Sequence, residues 1–255
     1  MQNTNSIFGL KKRVVDFSSK LVDQIIPPTC LICHTIVTRQ GGCCARCWRE
    51  MRLINQPMCP VLGTPFSIDM GEGIISAEAI ANPPPFERLR AVMLYDDYAR
   101  KLVSMLKYSD RPELAKWMAI WMRRSGNVLL NDADVIIPIP LHPARLRQRK
   151  FNQSAELARH CVSNQNHSYM PLTLQRRKST RQQVGLSERQ RADNVSGAFV
   201  VPQSEKIHLK GKRVLLVDDV YTSGATVNAA TRALKRGGVK SIDVLVFAKV
   251  ETTEL

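Results

Sequence analysis

The sequence of 255 residues lacks long apolar runs and has few aromatic residues. No uninterrupted apolar run approaches the roughly 18 residues that a membrane span needs, and residues 1–26 lack the apolar core and small-residue cleavage site of a secretory signal. We find no internal repeat and no low-complexity tract. These absences predict a cytoplasmic protein with no membrane span, and an apolar content of 44% is sufficient for a sizeable core.

Acidic residues are scarce too, since 22 of them face 37 basic residues and give a net charge of +15. The imbalance is concentrated in residues 141–192, where eleven basic residues stand against two acidic ones. Such a run indicates an anionic ligand or partner, although a solvated basic face is the alternative interpretation. The scattered aromatic residues do not favour sequence-specific recognition of nucleic acid by base stacking.

The cysteines cluster early in the chain, and only Cys161 lies beyond residue 59. Two Cys-x-x-Cys pairs predict one tetrahedral, structural zinc site with four thiolates, formed by Cys30, Cys33, Cys44 and Cys47. A redox-active pair is the alternative, but the βαβ context that it needs is missing. Cys43 is a candidate substitute ligand. Cys59 has Leu62 where a partner cysteine would stand, which disfavours a second metal site.

The pattern along the chain predicts four segments. We expect an amphipathic helix in residues 1–26, a four-cysteine zinc module in residues 27–66, a Gly- and Pro-rich linker in residues 67–87, and a larger domain in residues 88–255. From Asp134 onward, apolar strands alternate with helical periods. This alternation predicts an α/β fold with a parallel sheet buried on both faces.

The segment VLLVDDVYTSGAT, residues 214–226, contains the most informative motif. An apolar strand leads to Asp218 and Asp219, then to a small polar loop, and then to a helix. Free N–H groups at the start of such a helix form an anion site, and the two carboxylates suit a ligand that also offers hydroxyls, such as a ribose phosphate. An ordinary strand-to-helix turn with capping residues is the alternative.

This segment resembles the 5-phosphoribosyl pyrophosphate signature of type I phosphoribosyltransferases. The resemblance implies that Asp218 and Asp219 bind the ribose hydroxyls and that magnesium is held mainly by the ligand's own oxygens. It also implies that the 5′-phosphate lies against Tyr221, Thr222, Ser223, Gly224, Ala225 and Thr226. The pyrophosphate is then expected beside Pro140, Leu141, Arg145, Arg147 and Arg149, and residues 176–183 resemble the loop that closes over the reaction. His142 is either a catalytic acid or a packed or capping residue.

Together, the cysteine pairs and the transferase signature resemble the ComF family, also described as GntX-like. The motifs that carry this resemblance over nearly the whole chain are CLIC, CARCW, LKYSDRPELAK, DVIIPIPLHPARLRQRKFNQSAELA, RRKSTRQQVGLSERQRADNVSGAF and VLLVDDVYTSGAT. The family implies a role linked to DNA uptake by natural transformation. The chain departs from the usual pattern at Leu62, and at Lys150, where glycine is usual.

Two functions follow from this resemblance. In the first, the protein transfers ribose 5-phosphate from 5-phosphoribosyl pyrophosphate to an unidentified nitrogen acceptor. Thr222 argues against hypoxanthine salvage, because purine-salvage relatives commonly carry an acidic residue there. The sequence also lacks the glutaminase domain of amidophosphoribosyltransferases. In the alternative, the protein is a non-catalytic, ligand-responsive module that binds single-stranded DNA or DNA-uptake proteins, with phosphate contacts from the basic run.

Overall fold

The computed structural model describes residues 27–69, 71, 73–108, 112–162, 167–178, 195 and 197–251. The chain forms two compact units, Met1–Glu50 and Met51–Leu255. The boundary therefore falls before residue 66, where the sequence places the end of the zinc module. The helix expected in residues 1–26 lies outside the described residues. No helix within those described ranges has the length and apolar character to cross a membrane.

The regular structure of the described residues consists of nine helices, a five-stranded sheet and a separate two-stranded sheet. The helices are α1 Ala45–Glu50, α2 Ala77–Ala81, α3 Asp97–Tyr108, α4 Glu113–Ser125, α5 Asn127–Asp132, α6 Pro143–Arg149, α7 Gln153–Cys161, α8 Gln203–Leu209 and α9 Ala225–Arg236. The strands are β1 Arg88–Leu94, β2 Val135–Pro138, β3 Ser168–Tyr169, β4 Gln175–Arg176, β5 Phe199–Val200, β6 Arg213–Tyr221 and β7 Ser241–Lys249.

The main sheet has the strand order β1-β7-β6-β2-β3, and every neighbouring pair is parallel. β4 and β5 form a separate antiparallel pair. The central strand β6 is buried from Val214 to Val217, which explains its continuous apolar run. The parallel α/β fold predicted from the alternating pattern is thus confirmed.

Residues 51–66 cover the outer edge of β1. Ile54 N donates to Val92 O (2.9 Å), and Leu89 N donates to Val61 O (2.7 Å). Because an uncovered strand edge would expose unpaired N–H and C=O groups, this coverage gives the segment a structural role in the second unit. The region 67–87, expected as a linker, contains helix α2.

The junction between α6 and α7 turns sharply at Lys150, whose φ of 66° is left-handed. Glycine is favoured in this conformation, which gives a physical reason for the usual glycine of the family. Two residues later, Asn152 caps α7, because its side chain accepts from Ser154 N (3.1 Å). The Asn152 amide also donates to Ile139 O (3.0 Å), and so the start of α7 is tied to the end of β2.

Candidate functional site

A cavity of about 380 Å³ opens at the carboxyl end of the central strand. Ligands of open α/β sheets bind in this position, outside the carboxyl ends of the strands. Asp218, Asp219 and Ser154 are among its lining residues, together with part of the loop before α9. The cavity therefore contains the segment that the sequence identifies as a ligand site.

The two carboxylates of the cavity are almost fully buried. Asp218 is 8% exposed and Asp219 is 5% exposed. Ser154 Oγ donates to Asp218 Oδ1 (2.7 Å), and Asp219 N donates to the same oxygen (2.9 Å). Burial and the charge of Asp219 raise the pKa of Asp218 to about 7, although the bond from Ser154 opposes this. A buried carboxyl group with such a pKa is typical of functional sites.

Lys107, at the end of α3, supplies the counter-charge to the carboxylates. Its Nζ lies 2.8 Å from Asp219 Oδ2. Burial acts to lower the pKa of Lys107, but the charges of Asp219 and Asp218 outweigh it, and the pKa is raised. No role could be assigned to Lys107 from its motif LKYSDRPELAK, which only supports the family resemblance.

Three arginines line the same cavity: Arg145 and Arg149 on α6, and Arg176 on β4. Burial and the neighbouring Arg149 lower the pKa of Arg145, and burial followed by Arg145 lowers the pKa of Arg176. These shifts show that cations are crowded in a partly dehydrated space. A multiply charged anion would relieve their repulsion, and guanidinium groups suit phosphate oxygens.

The loop before α9 contains hydrogen-bond donors that are available to bind an anion. Gly224, the N-cap residue of α9, has a φ of 73°, and a Cβ atom there would collide with the Tyr221 hydroxyl. The cap residue supplies no side-chain hydrogen bond, so the first N–H groups of this 12-residue helix lack such a partner. Ser223 Oγ is buried and has no hydrogen-bond partner in the described part of the chain. This pattern fits a phosphate group.

The structure brings most of the predicted ligand residues to this cavity. Those that line it are Leu141, Arg145, Arg149, Asp218, Asp219, Tyr221, Thr222, Gly224 and Thr226. Pro140, Ser223 and Ala225 are not among the lining residues found for the described chain. Of residues 176–183, expected as a closing loop, only 176–178 are described.

Two predicted residues have structural roles in addition to, or in place of, a ligand role. Tyr221 is 6% exposed and packs edge-on against Phe86 at 6.2 Å. His142 caps α6, because its Nδ1 accepts from Ala144 N (3.3 Å). Of the two interpretations of His142, the capping role is therefore the one with a contact in the structure.

Four further polar residues that line the cavity were missed in the sequence: Tyr95, Tyr108, Gln153 and Ser154. Arg149 NH2 donates to Tyr108 Oη (3.2 Å), and Arg149 NH1 donates to Gln153 Oε1 (3.3 Å). No sequence signal marks Gln153 or Ser154 as ligand residues, because only the tertiary fold brings them to the cavity.

The first unit contains the cysteine cluster. The sulfur atoms of Cys30, Cys33, Cys44 and Cys47 all lie within 4.8 Å of one another. Four thiolates at this spacing fit a closed tetrahedral zinc site of the structural kind. Cys43 is not in this group, and Cys161 is fully buried in the second unit.

Comparisons with known proteins agree with both parts of the chain. Residues 21–79 match the double zinc ribbon domain, and residues 154–255 match the phosphoribosyl transferase domain. The DNA utilization protein YhgH of Salmonella typhimurium is 29% identical over 227 residues, covering 86% of this chain and 96% of the relative. Competence protein F of Haemophilus influenzae is 25% identical and covers the same shares of the two chains.

A third relative, competence protein ComFC of Bacillus subtilis, is 24% identical over 82% of this chain and 84% of its own. A solved glutamine phosphoribosylpyrophosphate amidotransferase from B. subtilis, complexed with ADP and GMP, covers 55% of this chain and 30% of its own. The two structures superpose with a TM-score of 0.32 at 18% sequence identity.

The parallel sheet, its flanking helices and the matched domain define a protein with a type I phosphoribosyltransferase fold behind a cysteine zinc module. The relatives and the two matched domains together give a more specific similarity. In both its domains and over most of its length, the chain is similar to proteins of the ComF family.

The raised pKa of Asp218 predicts that this carboxylate destabilises the folded protein. Its pKa rises on folding from 3.8 to about 7, so its contribution to the free energy of unfolding falls as pH increases through that window. We expect Asp218→Asn, which keeps an oxygen to accept the bonds from Ser154 and Asp219, to raise the Tm at pH 7.5 by roughly 2 to 8 °C. The gain should be smaller at pH 5. Thermal unfolding at both pH values measures it.

Asp134→Asn is the control for this prediction. The bond from Arg213 N, the largest influence, holds the pKa of Asp134 below its ordinary value, so its stabilising contribution is present at neutral pH and is lost in acid. Asp134→Asn should therefore not raise the Tm at pH 7.5. An unchanged or lower Tm for Asp218→Asn at pH 7.5 would show that the ionised carboxylate of Asp218 does not destabilise the folded protein.

Proposed function

We propose that the protein binds 5-phosphoribosyl pyrophosphate with magnesium and transfers its ribose 5-phosphate to a nitrogen acceptor. The observation that carries this proposal is the buried pair Asp218 and Asp219 directly beside the helix start, in a cavity that four cations also line. A simple phosphate site would not place two carboxylates there. A ligand with phosphates and adjacent hydroxyls accounts for both features.

The loop and helix α9 suit the 5′-phosphate. Backbone N–H groups of residues 222–226 and the partnerless Ser223 Oγ supply the donors, and the positive end of the helix dipole favours the negative charge. Because Gly224 has no side chain, the phosphate can approach the backbone closely.

The carboxylates suit the two ribose hydroxyls. Each hydroxyl would donate to one carboxyl group, and an oxygen of Asp218 accepts such a bond whether or not the group is ionised. Asp219 has two acceptor oxygens, so a hydroxyl can donate to it beside the contact of 2.8 Å between its Oδ2 and Lys107. Lys107 is a further cation for the phosphates of the ligand.

The arginines suit the leaving group. As the bond between ribose C1 and the pyrophosphate oxygen breaks, its electron pair leaves with the pyrophosphate. Meanwhile, the acceptor nitrogen bonds to C1 and gives up a proton to solvent. Arg145, Arg149 and Arg176 lie where they would stabilise the growing negative charge. Magnesium bound with the ligand would neutralise further charge on the pyrophosphate, held mainly by the ligand's own oxygens.

The relatives extend this proposal to a cellular role. Several are named for DNA utilization or competence. We propose that the present chain also acts in DNA uptake or use. The cytoplasmic location stays a prediction from the sequence.

The central test is ligand binding by the wild type and a double variant. We expect 5-phosphoribosyl pyrophosphate with MgCl2 to bind one site per chain in calorimetry, and Asp218→Ala with Asp219→Ala to weaken binding at least about 100-fold, because both ribose acceptors are lost. Asp97→Ala is the control, since Asp97 is an exposed surface residue with a side-chain exposure of 87%. A pyrophosphate-release screen with nucleobases and amines then tests transfer. Equal affinity of the double variant and the wild type would disprove the site.

The basic surface of α6 supports the second candidate function, a ligand-responsive module that binds single-stranded DNA. Arg145 and Arg149 line the cavity, whereas Arg147 on the same helix is exposed and is not among the lining residues in the described structure. Arg147 is therefore a solvent-exposed cation of α6 that is not needed to bind the small ligand in the cavity. Phosphate neutralisation by such cations dominates affinity for nucleic acid.

Two charge reversals on this helix separate the two candidate functions. We expect Arg145→Glu to weaken 5-phosphoribosyl pyrophosphate binding at least tenfold, because the residue lines the cavity, and Arg147→Glu to leave that binding within a factor of two. If DNA is bound, Arg147→Glu should lower its affinity and reduce the salt slope by roughly 0.7. Calorimetry and fluorescence anisotropy over a salt series measure the two effects. No DNA affinity of the wild type at low salt would eliminate the second function, and equal loss of the small ligand in both variants would refute the placement of Arg145.

A further inference from the structure

Residues 28–37 and 57–66 have the same backbone hydrogen bonds, although the sequence shows no repeat. In the first stretch, Val37 N donates to Pro28 O (2.9 Å), and in the second, Phe66 N donates to Pro57 O (2.9 Å). Thr29 pairs with Ile36 in an antiparallel bridge, as Met58 pairs with Pro65. The repeat that we did not find in the sequence is therefore present in the backbone. The matched positions that keep the same residue are Pro28 and Pro57, Cys30 and Cys59, and Thr35 and Thr64.

The turns inside these stretches also correspond. Cys30 N donates to Thr35 O (2.7 Å), and Cys59 N donates to Thr64 O (2.8 Å). The fifth residue of each turn is left-handed, with a φ of 61° at His34 and 59° at Gly63. Each turn thus has the form of a zinc knuckle, one around Cys30 and one around Cys59.

The correspondence continues into the following helices α1 and α2. Cys44 N donates to Cys30 Sγ (3.3 Å), and Ser76 N donates to Cys59 Sγ at the same distance. Cys47 N donates to Cys44 Sγ (3.5 Å), and Ala79 N donates to Ser76 Oγ (3.4 Å). The positions of Cys44 and Cys47 in the first ribbon are therefore those of Ser76 and Ala79 in the second.

The four ligand positions of the second ribbon are Cys59, Leu62, Ser76 and Ala79. They are 0%, 2%, 6% and 5% exposed. One thiol and one hydroxyl do not make a tetrahedral zinc site, and Leu62 and Ala79 offer no ligand atom. Although the matched family is named for a double zinc ribbon, the second set of residues does not fit a metal.

We infer that residues 57–81 form a metal-free copy of the zinc ribbon of residues 28–50, held together by apolar packing and by its attachment to the main sheet. Leu62, Ala79 and Cys59 belong to the same buried apolar cluster as Leu89 of β1. This cluster supplies the cohesion that the metal gives the first ribbon. The protein therefore binds one zinc per chain within the described ranges.

A buried lysine of the main sheet forms hydrogen bonds to the metal-free ribbon. Lys249, at the end of β7, is 0% exposed. Its Nζ donates to Thr64 Oγ1 (2.6 Å) in the knuckle and to Glu78 Oε2 (3.2 Å) on α2. Both halves of the ribbon are thus linked to the strand beside β6. Removing Glu78 would leave the buried charge of Lys249 without a counter-charge. Separation of the ribbon from the sheet would therefore lower the stability of the second unit.

Elemental analysis of the full chain tests the inference. We expect one zinc in the wild type, one in Cys59→Ser and none in Cys33→Ser. The triple variant Leu62→Cys, Ser76→Cys, Ala79→Cys restores the four ligand positions and should hold two zinc ions. Adding Cys59→Ser to the triple variant should return the count to one. Two zinc ions in the wild type, or a folded triple variant with only one, would overturn the inference.

Leu62→Ser gives an independent test if the triple variant does not fold. If apolar packing holds the second ribbon, this substitution should lower the Tm of the second unit by several degrees. The loss should be the same with added zinc and with a chelator. No loss of Tm, or a loss that added zinc reverses, would contradict a metal-free ribbon.

Discussion

Two neighbouring carboxylates lie buried at the end of the central strand, and the arrangement of the site depends on how their repulsion is compensated. Asp218 accepts from Ser154 and from a backbone N–H, while Asp219 pairs with Lys107. These partners come from α7 and α3, on different parts of the chain. The packing that holds α7 and α3 in place is therefore what allows two like charges to stay adjacent.

The same compensation makes the cavity suited to a ligand of mixed character. Its carboxylates accept hydroxyl donors, while Lys107 and the arginines attract phosphates. The start of α9 adds backbone donors beside them. Because the cavity contains both carboxylates and cations, the ligand of the proposed function, a phosphorylated sugar that also carries a diphosphate, would satisfy both, whereas inorganic phosphate or a neutral sugar would satisfy only one.

The sequence predicted those features that depend on contiguous residues. The strand, the acidic pair and the helix of residues 214–236 could be predicted because the spacing of apolar residues and the sequence motif agree there. Lys107 and Ser154 could not be assigned, since only the tertiary fold brings them to Asp218 and Asp219. The second ribbon was not predicted because only one of its four ligand positions, Cys59, keeps a cysteine. A repeat of the backbone is hard to detect in a sequence once the other ligands are replaced.

The most direct test of the central claim is a crystal structure with 5-phosphoribosyl pyrophosphate and magnesium bound. The account predicts the 5′-phosphate on the N–H groups of residues 222–226 and the ribose hydroxyls within hydrogen-bond distance of Asp218 and Asp219. A ligand bound elsewhere, or one that leaves both carboxylates without a hydroxyl partner, would contradict it.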